Sequence, residues 1–107
     1  LSGGQRQRAS AARAIVKQPS ILFADEPTGA LDSNSATELL NTLQEANQEI
    51  NTTILMVTHD AYAASFANRI LIFKDGCIIR ELQKDNGNRR DFYEAIANEI
   101  AKLDTER

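Results

Sequence analysis

Residues 20–34 read SILFADEPTGALDSN, and the change of character inside this stretch decides the fold. Residues 20–25 are an apolar run that turns acidic at its end. That is the pattern of a short parallel strand, buried along its length and polar only at its C-terminal edge. The stretch EPTGALDSN that follows is a loop by its Pro, Gly, Asp and Asn content. Ser35 and Glu38 then stand at capping-box spacing. Ala36, Leu39, Leu40, Leu43, Ala46 and Ile50 recur as a helical stripe. A second apolar, β-branched run, TTILMVTHD at residues 52–60, again ends in polar groups.

Outward from this unit the alternation continues. On the N-terminal side, the chain opens with LSGGQRQR. Ser2 and Gln5 also have capping-box spacing, so a helix is expected from Gly3 or Gly4 through ASAARAIV, ending before Pro19. On the C-terminal side, Asp60 is placed to cap a short helix through AYAASFA. Residues 69–82, RILIFKDGCIIREL, read as a hairpin about the turn-favouring pair Asp75-Gly76. A polar linker, QKDNGNRR, leads to Asp91 as the cap of a last helix with Phe92, Ile96, Ile100 and Leu103 on one face. The order helix, strand, helix, strand, short helix, hairpin, helix implies an α/β layer with a mainly parallel sheet. In open sheets of that type ligands bind at the carboxyl ends of the strands. Both parallel strands end in chemistry there: Asp25-Glu26 on one, Thr58-His59-Asp60 on the other.

Composition narrows the function. At 107 residues there is room for one domain with a modest core. A formal net charge of −3 argues against nucleic acid as the main partner, because phosphate binding shows as a basic excess. Cys77 is the single cysteine, so no internal disulfide can form, which fits a reducing compartment. No apolar run approaches bilayer-spanning length, and no signal-peptide or repeat pattern stands out.

Two adjacent carboxylates at the end of an apolar strand are costly unless paired or holding a cation. Successive strand residues face opposite sides, so Asp25 and Glu26 should not share one job. One would hold Mg²⁺, a hard ion that takes oxygen ligands, and the other would orient or deprotonate a water. The plainer alternative is a surface pair or a helix cap. His59 is the only histidine, and a lone histidine is more often structural than catalytic. Its place at the end of a second strand favours a hydrogen bond to a phosphate oxygen or to a water. No metal cluster is supported, with no second histidine and Cys77 assigned to the turn. In LSGGQ, glycines at a helix start uncover backbone N–H groups, and the helix dipole and the Ser2 hydroxyl add to an anion site suited to phosphate. A cap with flexible glycines is the plainer reading. Arg6, Arg8, Arg13 and Lys17 do not align on one face, as in a solvated helix.

LSGGQRQR, ILFADEPTGALD and VTHD, in this order and at this spacing, resemble the second half of the nucleotide-binding domain of an ABC transporter. The resemblance covers residues 1 to about 83 well and the last helix weakly. It implies a partial P-loop NTPase (RecA-like) layer with parallel strands, helices and a C-terminal antiparallel hairpin. It divides the 107 residues into a core, 1–83, and a linker with a C-terminal helix, 84–107. In that family two domains sandwich two ATP molecules head to tail. By resemblance, Ser2, Gly3, Gly4 and Gln5 of the signature would touch ATP held by a second ATPase domain. Asp25 would support Mg²⁺ through water, and Glu26 would polarise the attacking water. His59 would bond the γ-phosphate, and Asp32 of the loop ALD would contact the partner domain. The further partner implied is a transmembrane permease, with the ATPase held at the cytoplasmic face of a bacterial cell membrane. Phosphoryl transfer is largely positioning and charge neutralisation, in keeping with these roles. FADEPTGALDSNSATELL and ASFANRILIFKDG are similar to the group serving antimicrobial-peptide resistance, macrolide export and lipoprotein release. RRDFYEAIAN leans to the bacitracin-export type.

The family pattern is incomplete in this sequence. There is no GxxxxGK loop followed by Ser or Thr, no aromatic residue placed to stack on adenine, and no glutamine loop ahead of the signature. These 107 residues are therefore expected to be part of a longer subunit and not to hydrolyse ATP alone. The phosphate-loop strand would lie between the strand ending at His59 and the one around residues 70–74. Without it, exposed sheet edges would favour self-association. A competing reading is the ABC head of a chromosome-maintenance or DNA-repair ATPase, which salt-dependent DNA binding would mark. DEPTGALD, the short connection to VTHD and the acidic balance favour the transporter. A third reading, a non-catalytic interaction module, leaves Asp25, Glu26 and His59 together without a physical reason.

Overall fold

The structure, a computed structural model, describes Arg13, Ile15 and residues 20–85 and 87–105. The chain divides between His59 and Asp60 into two compact units. Of the helix expected before Pro19, only Arg13 and Ile15 are among the described residues, and both are helical.

The first unit is built on strand, helix, strand: β1 (Ile21–Asp25), α1 (Ser33–Ile50) and β2 (Thr53–Val57). The strands pair in parallel, in register from Ile21 opposite Thr53 to Asp25 opposite Val57. Helix α1 begins one turn earlier than the Ser35–Glu38 box suggests. Its cap is Asp32, whose Oδ1 accepts from the Ser35 amide at 2.8 Å. An extended Asp32 offers a carboxylate to an amide that otherwise lacks a partner, and the added turn brings three more residues into the helix. Ala36, Leu39, Leu40, Leu43 and Ala46 are buried, as the stripe requires, whereas Ile50 in the last turn is exposed. Asn51 ends the helix in the left-handed region (φ 60°), a conformation asparagine tolerates. Asn47 Nδ2 then donates to the Thr52 carbonyl at 2.9 Å, tying the last turn to the start of β2.

The strands differ from expectation in burial. Ile21, Phe23, Leu55 and Val57 lie on one face of the sheet and are exposed, while Leu22, Ala24, Ile54 and Met56 on the other are half-buried. An apolar run on a parallel strand predicts cover on both faces. Among the described residues only one face receives it.

The second unit begins with α2 (Ala61–Ala64), capped by Asp60, which accepts from the Tyr62 amide at 3.0 Å. The helix is shorter than AYAASFA suggested. Ser65 Oγ donates back to the Tyr62 carbonyl at 2.6 Å, and Phe66 and Ala67 continue in tighter i→i+3 turns. The hairpin forms as read, from β3 (Arg69–Lys74) and β4 (Cys77–Gln83). Asp75 (φ 52°) and Gly76 (φ 79°) are both left-handed, the mark of a type I′ turn. Cys77 opens β4 opposite Lys74 and is not itself in the turn. A bulge at Ile72/Phe73 shifts the register, and Arg69 Nε donates to Glu81 Oε1 at 2.6 Å. In the described residues the two sheets have two strands each, β1–β2 and β3–β4.

Helix α3 (Arg89–Thr105) is capped by Asn88 and not by Asp91: Asn88 Oδ1 accepts from the Asp91 amide at 2.9 Å. Asp91 instead sits in the first turn, where negative charge meets the positive end of the helix dipole. Phe92 and Ile96 are buried, Ile100 is exposed and Leu103 is half-buried, so the apolar stripe is covered most fully in its first half. The Arg89 guanidinium lies 5.0 Å from the Tyr62 ring centroid and 4.6 Å from that of Phe66. Those two rings meet edge to face at 5.3 Å.

Candidate functional site

The parallel register sets the last residue of β1 beside the last residue of β2, so the segments leaving the two strands begin side by side. The Glu26 amide donates to the Val57 carbonyl at 2.7 Å, which carries the sheet one residue past β1. The backbone then turns. Glu26 has φ 44°, a left-handed conformation that costs an L-residue about 1–2 kcal/mol. The Gly29 amide closes the turn on the Glu26 carbonyl at 3.1 Å, over buried Pro27 and Thr28. Such strain persists only where surrounding contacts hold it, and it clusters at functional sites.

Such contacts surround the Glu26 carboxylate. Thr58 Oγ1 donates to Glu26 Oε2 at 3.1 Å. The His59 amide donates to Glu26 Oε1 at 2.7 Å, and the His59 ring meets the same oxygen through Nδ1. Both carboxylate oxygens are thus engaged by residues just beyond β2. Partial burial pulls the Glu26 carboxyl up, but bonds from the His59 ring, the Thr58 hydroxyl and the His59 amide outweigh it. Together they hold the group below the usual carboxylate range. The His59 ring is 98% exposed, and with Nδ1 turned to the carboxylate its Nε2 is left to meet a ligand.

The expected site residues separate into four groups. Glu26 and His59 are brought into direct contact, closer than two independent roles required. Asp25 is exposed and lies opposite Val57, on the face that carries Phe23 and Leu55, so the two adjacent acids do face different ways. Asp32 caps α1. Ser2, Gly3, Gly4 and Gln5 lie outside the described residues. No group of three or more His, Cys, Asp or Glu side chains among the described residues is arranged to cage a metal. Asp25 offers a hard oxygen donor by itself, which suits Mg²⁺ with water and phosphate oxygens as its other ligands. Thr58 was legible only as a polar strand end. Its part follows from the parallel register, which sets the residue after Asp25 opposite the residue after Val57.

Comparison with known proteins bears on the family and the fold. The ABC transporter family matches residues 1–29. The bacitracin export ATP-binding protein BceA of Halalkalibacterium halodurans is 55% identical over 96 residues, covering 90% of this chain and 38% of that protein. The ATP-binding cassette MJ0796, in a dimeric post-hydrolysis state bound to ADP and Pi, superposes with a TM-score of 0.68. It is 44% identical, with 78% of this chain and 36% of that one covered. CbiO1 of Clostridium perfringens, part of the cbiONQ ABC transporter complex, gives a TM-score of 0.71 at 30% identity over 98% of this chain and 40% of that one. The chain spans about two-fifths of the length of several curated relatives it matches. Its motifs, its α/β layer with a parallel pair and an antiparallel hairpin, and these likenesses agree: the chain belongs to the ABC transporter ATPase family.

Proposed function

We propose that these residues serve in the ATP-binding subunit of an ABC exporter, where ATP hydrolysis is coupled to export or extraction of a peptide-like, lipid-linked or drug substrate. The observation that carries this reading is the Glu26 carboxylate, held on a strained backbone by Thr58 and His59. An ionised, doubly anchored carboxylate beside an exposed imidazole is suited to orienting a water against a phosphoryl group. A depressed carboxyl is a weak base, so Glu26 acts by polarising and aiming the water more than by taking its proton early. His59 bridges: Nδ1 toward Glu26 and Nε2 toward a phosphate oxygen. A ring placed between the carboxylate and the phosphate ties the aim of the water to the bound nucleotide. When bound, ATP would supply the phosphoryl group and Mg²⁺ would screen its charge, with Asp25 the residue to support the ion through water.

In this reading Ser2, Gly3, Gly4 and Gln5 meet ATP bound on a second ATPase domain, and Asp32 contacts that domain while capping α1. A permease partner holds the assembly at the cytoplasmic face of the membrane. The likeness to a bacitracin export protein over 90% of the chain supports the peptide-antibiotic branch. The 107 residues alone contain no lysine-bearing phosphate loop, and phosphate release is expected from the longer subunit and not from them. A steady-state phosphate-release assay on both tests this. Turnover by the 107-residue chain that Glu26→Gln abolishes overturns the need for a second segment, and a longer subunit with no turnover overturns the reading itself.

A further inference from the structure

We propose that Thr58 is a positioning residue for the reaction: its hydroxyl fixes the orientation of the Glu26 carboxylate, so that one oxygen faces His59 and the plane of the group does not rotate. The inference rests on the functional reading above. The geometry behind it is specific. Thr58 Oγ1 donates to Oε2 at 3.1 Å, while the His59 amide and ring both address Oε1. A carboxylate bonded only through Oε1 keeps a free torsion about its last side-chain bond, since that rotor is broad and nearly two-fold. A second donor on Oε2, from a different residue, removes it. Thr58 is half-buried, and it is the residue that the parallel register places opposite Glu26. Its role therefore depends on the pairing of β1 with β2 and not on a mobile loop.

When nucleotide arrives and the His59 ring turns part of its bonding capacity to phosphate, the Thr58 hydroxyl and the His59 amide are the donors that keep the carboxylate aimed. Loss of the hydroxyl should then slow the chemical step and leave nucleotide affinity alone. That distinction separates positioning from simple packing.

The test compares Thr58→Val, which keeps the shape and removes the donor, with Thr58→Ser, which keeps the donor. Both are made in the full-length subunit and assayed with MgATP. Thr58→Val is expected to lower kcat roughly tenfold, the worth of one hydrogen bond to a charged group, with KM within about twofold. Thr58→Ser is expected to stay near wild type. Equal turnover in the two variants, or a loss in Thr58→Val carried by KM and not by kcat, overturns the proposal. Failure of the functional reading looks different, because the wild-type subunit itself then releases no phosphate. In that case the claim falls as a catalytic one.

Discussion

Glu26 and Asp75 each follow a strand directly, and each carries an acidic side chain on a left-handed backbone, at φ 44° and 52°. The resemblance ends with their neighbours. Asp75 precedes Gly76, also left-handed, and the two complete a type I′ turn that matches the twist of the strands they join. Its conformation is explained by the turn. Glu26 precedes Pro27, and nothing in Glu-Pro asks for a positive φ. What accompanies the conformation is the engagement of both carboxylate oxygens by Thr58 and His59. Equal backbone strain therefore has two meanings: at Asp75 it is the geometry of a connection, and at Glu26 it aims a side chain.

The largest effect that tests this contrast is on turnover. Glu26→Gln keeps size and one acceptor but removes the charge. In the full-length subunit it is expected to cut phosphate release at least about a hundredfold. Asp75→Asn, on an equally strained residue, should stay within about twofold, as for a surface change. Similar losses in both would mean that the strain, and not the carboxylate contacts, is what the two positions share.

Stability sharpens the contrast from the other side. Gly76→Val forces a β-branched residue to φ 79° and should destabilise by about 1–2 kcal/mol, read as a lower urea midpoint with unchanged slope. An unmoved midpoint would mean that the hairpin does not depend on its I′ turn. Asp32→Ala removes the carboxylate from the Ser35 amide and should cost about 1 kcal/mol in the same assay. If Asp32 serves only a neighbouring domain and not α1, the isolated subunit will show no change.

Much of this was legible because the periods are strong. The α1 stripe, the DG hairpin and the two strands ending in acids and imidazole each follow from spacing alone. The caps were misread for one physical reason. Ser35–Glu38 and Asp91 are good capping chemistry, but Asp32 and Asn88 stand three residues earlier, and the earlier cap wins by adding helical hydrogen bonds. Strand burial in these residues follows which faces their described neighbours reach, whereas an apolar run reports what a strand prefers to touch. The joining of Glu26 to His59 and Thr58 was out of reach for a different reason. It depends on cross-strand register and on one positive φ, and neither leaves a local pattern in the sequence.

The smallest expected effect concerns acid, and its sign is fixed by the contacts. Burial alone would raise the Glu26 carboxyl, yet bonds from the His59 ring, the Thr58 hydroxyl and the His59 amide bring it below its ordinary range. Folding then favours the ionised form. The stabilisation is fully present above the ordinary carboxylate range and is lost as pH falls through the depressed native value. Glu26→Gln has no proton to gain there. Urea midpoints of wild type and Glu26→Gln should differ by a constant amount near neutrality, and the gap should narrow as the solution becomes acid. A gap that stays constant through the acid range would mean that the three donors do not prefer the carboxylate over the acid. Glu26 would then stand with Asp75, as a residue strained by its turn alone.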